Sequence, residues 1–79
     1  MTISSAISKR IKDICKSRHI SINKLAVMSC ITQSTLQSII DGDSSNPKLL
    51  TICRLCYGLN MKLSDFFDDE IFNNIDLDI

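Results

Sequence analysis

The chain has 79 residues, no net charge, 44% hydrophobic residues, four Cys, one His and no Trp. A chain of this size buries only about 60% of the surface its unfolded form exposes, which limits it to one domain with one modest core. No apolar run approaches the roughly 20 residues that span a bilayer, and Met1 to Ser5 lacks a signal-peptide layout, so the protein is expected to be cytoplasmic, without membrane contact.

The charge is unevenly placed. Up to Ser64 there are nine Lys or Arg against three acids, Asp13, Asp41 and Asp43, whereas Asp65 to Ile79 holds six acids and no base. A basic body with an acidic tail points to nucleic-acid binding by the body.

The first helix is predicted from about Ser5 to Ser17. Ile7, Ile11, Ile14 and Cys15 form its apolar stripe, with Lys9, Lys12, Asp13 and Lys16 opposite. His19 follows as a solvated loop residue; as the lone histidine it offers no pair for a metal or a proton relay.

Ser21 to Gly42 reads as two short helices joined by a tight turn. Ser21 is placed to cap the first, whose Ile22, Leu25 and Ala26 share one side while Asn23 and Lys24 face outward. Ser29 to Ile31 break the pattern, and the Thr32 hydroxyl is placed to cap a helix that Gly42 ends. Stepping from Gln33 to Asp41 at about 100° per residue puts Thr35, Leu36, Ile39 and Ile40 inward. Ser34, Gln37, Ser38 and Asp41 fall opposite, with Gln33 at the N-terminal flank. That outer face is rich in hydrogen-bonding groups where a merely solvated one would carry Lys and Glu.

The segments Ser21-Ile22-Asn23-Lys24-Leu25-Ala26 and Ile31-Thr32-Gln33-Ser34-Thr35-Leu36, with Ile39, Gly42 and Asn46-Pro47, resemble the helix-turn-helix of the λ-repressor-like (Cro-like, XRE) DNA-binding family. The resemblance covers roughly residues 7 to 67. It implies a compact five-helix, all-α domain over residues 1–68, leaving 69–79 as an acidic, apolar extension. It also implies a left-handed backbone at Cys30, where the family most often has Gly.

The same resemblance assigns base reading in the major groove to Gln33, Ser34, Gln37 and Ser38. Contacts to the DNA backbone fall to Ser21, Asn23, Lys24, Thr32, Ser44, Asn46 and Lys48. The expected function is a sequence-specific transcriptional regulator, a repressor, whose partner is double-stranded DNA. The alternative is an antitoxin or adaptor module whose main partner is another protein.

A fourth helix is expected over about Leu49 to Tyr57, with Gly58 near its end. Leu49, Ile52, Cys53, Cys56 and Leu59 are assigned to the core, and Leu50 and Leu55 to its margins. The Cys53-x-x-Cys56 pair lacks the second pair of ligands that a zinc site needs, so both are read as buried thiols acting as small hydrophobes. Neither metal nor cofactor is expected. Leu63, Phe66 and Phe67 belong to a short fifth helix that closes the core.

In the tail, Ile71, Phe72, Ile75, Leu77 and Ile79 are too apolar for a solvated segment, with Ile71, Phe72 and Ile75 the candidates to meet a protein partner. Either the tail continues the fifth helix and packs on its own body, or it meets a second copy or another protein; homodimerisation is the favoured expectation. With no paired carboxylates in an apolar setting and no Gly-rich phosphate loop, no catalytic constellation is visible, and an enzyme is not expected.

Overall fold

The computed structural model describes residues 1–43 and 46–77. They form five α-helices, α1 (Ile3–Arg18), α2 (Ile22–Met28), α3 (Gln33–Asp41), α4 (Leu49–Leu59) and α5 (Leu63–Phe66), followed by a 3-10 turn at Glu70–Asn73. There is no strand among the described residues, so the fold is the all-α, five-helix architecture expected. None of these helices is long and apolar enough to cross a membrane.

The first helix is longer than expected because its ends are well capped. Thr2 Oγ1 accepts from the Ser5 amide at 3.1 Å. At the other end His19 takes a left-handed conformation, φ 57°, and the Ile20 amide reaches back to the Cys15 carbonyl at 3.0 Å. This returning bond satisfies a carbonyl that the helix itself leaves open. The expected stripe of Ile7, Ile11, Ile14 and Cys15 is buried, joined by Ala6.

The helices converge on one core. α1 packs on α3, α2 packs on both α3 and α4, and α4 packs on α5. Leu25, Leu36, Leu55, Ile11 and Phe66 are wholly buried at its centre. Ser8 Oγ donates to the Ile40 carbonyl at 2.7 Å within this buried zone. Ile40 lies in the last turn of α3, whose carbonyls have no partner in the helix, so the bond ties α3 to α1.

The rotation of α4 differs from the sequence expectation. Ile52, Leu55, Cys56 and Leu59 face the core, whereas Leu49 is 59% exposed, Leu50 is 60% exposed and Cys53 is also exposed. Eight of the eleven α4 residues are apolar or Cys, so several phases of the helical period fit equally well. In the phase observed, α4 turns Gly58 towards the end of α2, where the missing side chain leaves room for the close approach. A Cβ at residue 58 would lie 2.9 Å from the Met28 carbonyl carbon and the Ser29 nitrogen. The helix also runs past Gly58 to Leu59, where Asn60 caps it in a left-handed conformation.

The described tail residues up to Asp76 pack on the body without continuing α5, whereas Leu77 is 76% exposed and Ile79 lies outside the described residues. Phe72 lies 5.0 Å from Phe67 and 6.1 Å from Phe66, ring centre to ring centre. Ile71 and Ile75 are half-buried, and the Asp76 amide donates to the Met1 carbonyl at 2.8 Å. Arg10 fastens the start of this segment. Its guanidinium donates to the Phe66 carbonyl at 2.7 Å and the Asp65 carbonyl at 2.9 Å, and pairs with Asp69 at 3.3 Å. Arg18 donates to the Leu59 carbonyl at the end of α4. Two cations of the basic body are therefore structural fasteners.

Candidate nucleic-acid interface

Ser21 starts α2 as expected, its Oγ accepting from the Lys24 amide at 3.0 Å. Asn23 and Lys24 are exposed on the first turn, while Leu25 and Ala26 are buried. The turn that follows is held by the backbone: the Ser29 amide bonds the Leu25 carbonyl at 2.9 Å, and the Ile31 amide bonds the Ala26 carbonyl at 3.2 Å. Between them Cys30 has φ 56°, the left-handed conformation expected there, at a cost of about 1–2 kcal/mol for a residue with a side chain.

Thr32 organises the start of α3. Its Oγ1 accepts from the Thr35 amide at 3.1 Å and donates to Thr35 Oγ1 at 2.8 Å. That cluster explains a departure from expectation: Thr35, assigned to the core, is exposed. With its hydroxyl engaged by the cap, Thr35 is held at the rim of the helix. Leu36, Ile39 and Ile40 are buried, as their spacing predicts.

The opposite side of α3 carries the groups expected to read bases. Gln33, Ser34 and Gln37 are exposed, and Ser38 is half-buried. The Gln37 amide donates to the Asp41 carboxylate at 2.8 Å, which orients it along the helix towards the C-terminal end. The helix has no acidic residue in its first turn, and its C-terminus is closed by Gly42 at φ 78°. The left-handed backbone there is strained for other residues. The N-terminal half of the face thus combines free amides, a favourable helix dipole and uncharged polar side chains.

Beside this face lies a notch of about 370 Å³ lined by Thr35, Ser38, Ile39, Asn46, Pro47, Lys48 and Thr51. It brings together three residues singled out in the sequence, Ser38, Asn46 and Lys48, and adds two that were missed. Thr35 was assigned inward from its angular position alone, and Thr51 sits on the α4 side turned towards α3. A polar β-branched residue in the first turn after a helix start was the available signal for both. Asn46 and Lys48 are exposed. Ser44, expected near a phosphate, lies outside the described residues.

A family model for the Cro/C1-type HTH DNA-binding domain matches residues 10–70. The crystal structure of the prophage Lp1 protein 11 superposes with a TM-score of 0.83 at 27% sequence identity, covering 95% of this chain and 99% of that one. No curated protein sequence gives a match. With a helix-turn-helix whose caps, turn and buried faces are all in register, and a family match spanning most of its length, the chain belongs to the Cro/C1-type helix-turn-helix DNA-binding family.

Proposed function

We propose that the chain is a sequence-specific transcriptional regulator, acting as a repressor, that reads a pseudo-palindromic operator through the major groove as a homodimer. One observation carries this reading: α3 buries its aliphatic side in the core and leaves Gln33, Ser34 and Gln37 exposed on the other. Hydrogen-bonding groups on a rigid helix are what direct readout needs, because each base pair presents a distinct donor and acceptor pattern in the major groove.

In this mechanism Gln33, at the first position of α3, pairs its amide with adenine N6 and N7, a contact worth about 1–3 kcal/mol of discrimination. Ser34 and Gln37 contact neighbouring bases, and Ser38 meets the edge of the groove from within the notch. Lys48 and Asn46 on one side, and Ser21, Asn23 and Lys24 on the other, contact the phosphates that flank the groove. Thr32 holds the helix start in position and offers its hydroxyl to the backbone. Phosphate contacts set orientation and affinity and carry no sequence information directly.

The reading face itself has no cation, so one domain gains limited affinity from it. Two copies related by a two-fold axis place their α3 helices about 34 Å apart, one turn of B-DNA, and read half-sites about ten base pairs between centres. Occupancy of such a site excludes other proteins from it, which is repression in its simplest form.

Selection of bound duplexes from a random pool, followed by titration at several salt concentrations, tests the proposal. The expected result is an enriched two-fold-symmetric motif and an affinity that falls linearly with salt on logarithmic axes. Enrichment of no motif would transfer the function to the antitoxin or adaptor class.

A further inference from the structure

The outward side of α4 carries a row of apolar side chains that no other described segment covers. Leu50 is 60% exposed and Tyr57 is 81% exposed, Cys53 is exposed between them, and Leu49 at 59% extends the row. Residues 50, 53 and 57 recur at the spacing of one helix face. A helix on the surface of a lone domain gives this side to charged and polar residues. On α4 the only charged residue is Arg54, and there is no acid.

The geometry points to this face as the surface through which two copies of the chain pair, across a two-fold axis at Cys53. The inference rests on the regulator reading only for its demand that two copies act together. The row is self-complementary: Leu50 lies three residues before Cys53 and Tyr57 four after it. Antiparallel copies therefore set Leu50 of each against Tyr57 of the other, as a closed two-fold contact requires. Arg54, at the edge of the row, then lies within reach of the partner's aromatic ring, an attractive cation–π arrangement.

The available area agrees with a dimer. The four side chains offer on the order of 400 Å² of apolar surface, given their exposures. A standard interface buries about 800 Å² on each partner, somewhat over half of it apolar. Position agrees as well. Thr51, at the start of α4, lines the notch shared with α3, so a copy docked on the outward face of α4 lies beside the reading face and leaves it open. In the tail, Phe72 is engaged within the chain against Phe66 and Phe67, and Ile71 and Ile75 are half-buried, while Leu77, 76% exposed, stands alone and forms no row.

Sedimentation equilibrium of the full chain and of Tyr57→Glu, without DNA, tests the inference. The wild-type chain is expected to dimerise, and Tyr57→Glu to raise the dissociation constant by roughly 30-fold or more, with unchanged helical circular dichroism because Tyr57 is exposed. A second measurement does not depend on that variant's folding. In a Cys30→Ser background, mild oxidation is expected to give a covalent dimer through Cys53, whose Cα atoms must come within about 7 Å across the axis; the further change Cys53→Ser abolishes it. A wild-type chain that stays monomeric, or that dimerises equally well with Tyr57→Glu, or that gives no Cys53 cross-link, would overturn the inference. Because no readout involves DNA, absence of an operator motif leaves the pairing face standing, and a monomeric chain that selects a motif removes the pairing face alone.

Discussion

Gly58 and Ser29 touch across the joint between α4 and the helix-turn-helix. A Cβ placed on Gly58 would come within 2.3 Å of the buried Ser29 Oγ, and Ser29 is only 1% exposed. Exchanging Gly for Ala within a helix ordinarily stabilises by about 1 kcal/mol; here the sign is reversed. The hydroxyl could turn aside, but the Met28 and Ser29 backbone atoms at 2.9 Å cannot without moving the turn. Gly58→Ala is expected to destabilise by about 1–3 kcal/mol, read as a lower midpoint in urea. It should also weaken DNA binding, because the displaced turn carries α3.

The bond from Ser8 to the Ile40 carbonyl, 2.7 Å long and buried, holds the far end of the reading helix. Ser8→Ala leaves that carbonyl buried without this donor, at a cost of about 1–3 kcal/mol. Amide exchange at the C-terminal end of α3 should quicken with the loss in global stability. A value indistinguishable from wild type would show that water replaces the hydroxyl.

Asp41 closes the reading face with a negative charge that accepts from Gln37 at 2.8 Å. Asp41→Asn is expected to strengthen binding to all duplexes by about 0.5–1 kcal/mol, the size of one screened repulsion from nearby phosphates. Loss of the carboxylate also relieves an unfavourable charge at the C-terminal end of the α3 dipole, so thermal stability should not fall. Electrophoretic titration and a melting curve together check both signs.

The four thiols divide into two classes. Cys30 and Cys53 are exposed, Cys15 and Cys56 buried, and burial pushes both buried thiols above their ordinary value of 9.0. A thiol reagent should therefore label Cys30 and Cys53 rapidly and the other two only as the chain unfolds. Since the folded pKa values of Cys15 and Cys56 exceed the unfolded ones, the folded state keeps these protons longer. Their contribution to stability is complete below that ordinary value, which the unfolded chain retains, and declines as pH rises through the higher folded values.

Much of the architecture was legible in short-range chemistry. The caps at Ser21 and Thr32 and the closing Gly42 depend on interactions within a few residues, and each stands where the sequence indicated, while the left-handed Cys30 stands where the family resemblance implied it. The phase of α4 was not legible, because Leu49, Leu50, Ile52, Cys53, Leu55, Cys56 and Leu59 surround most of the helix. The packing of α4 on α2, distant in sequence and close at Gly58, lies outside what the periodicity of α4 encodes. Thr35 escaped for a related reason: its angular position lies at the border of the core, and the Thr32 hydroxyl settles its place. The tail's attachment through Arg10 and Asp69 joins residues 59 positions apart, beyond the reach of any periodic pattern.

The most direct test of the account compares Gln33→Ala and Lys48→Ala on a selected operator and on random duplex, each at several salt concentrations. If α3 reads bases, Gln33→Ala loses about 1–3 kcal/mol on the operator, relaxes one base position and leaves random duplex almost unaffected. Lys48→Ala, a phosphate contact, weakens both duplexes alike and reduces the salt slope by about one. Equal losses on operator and random duplex for both variants, with no relaxed position, would contradict the claim that the exposed face of α3 recognises sequence.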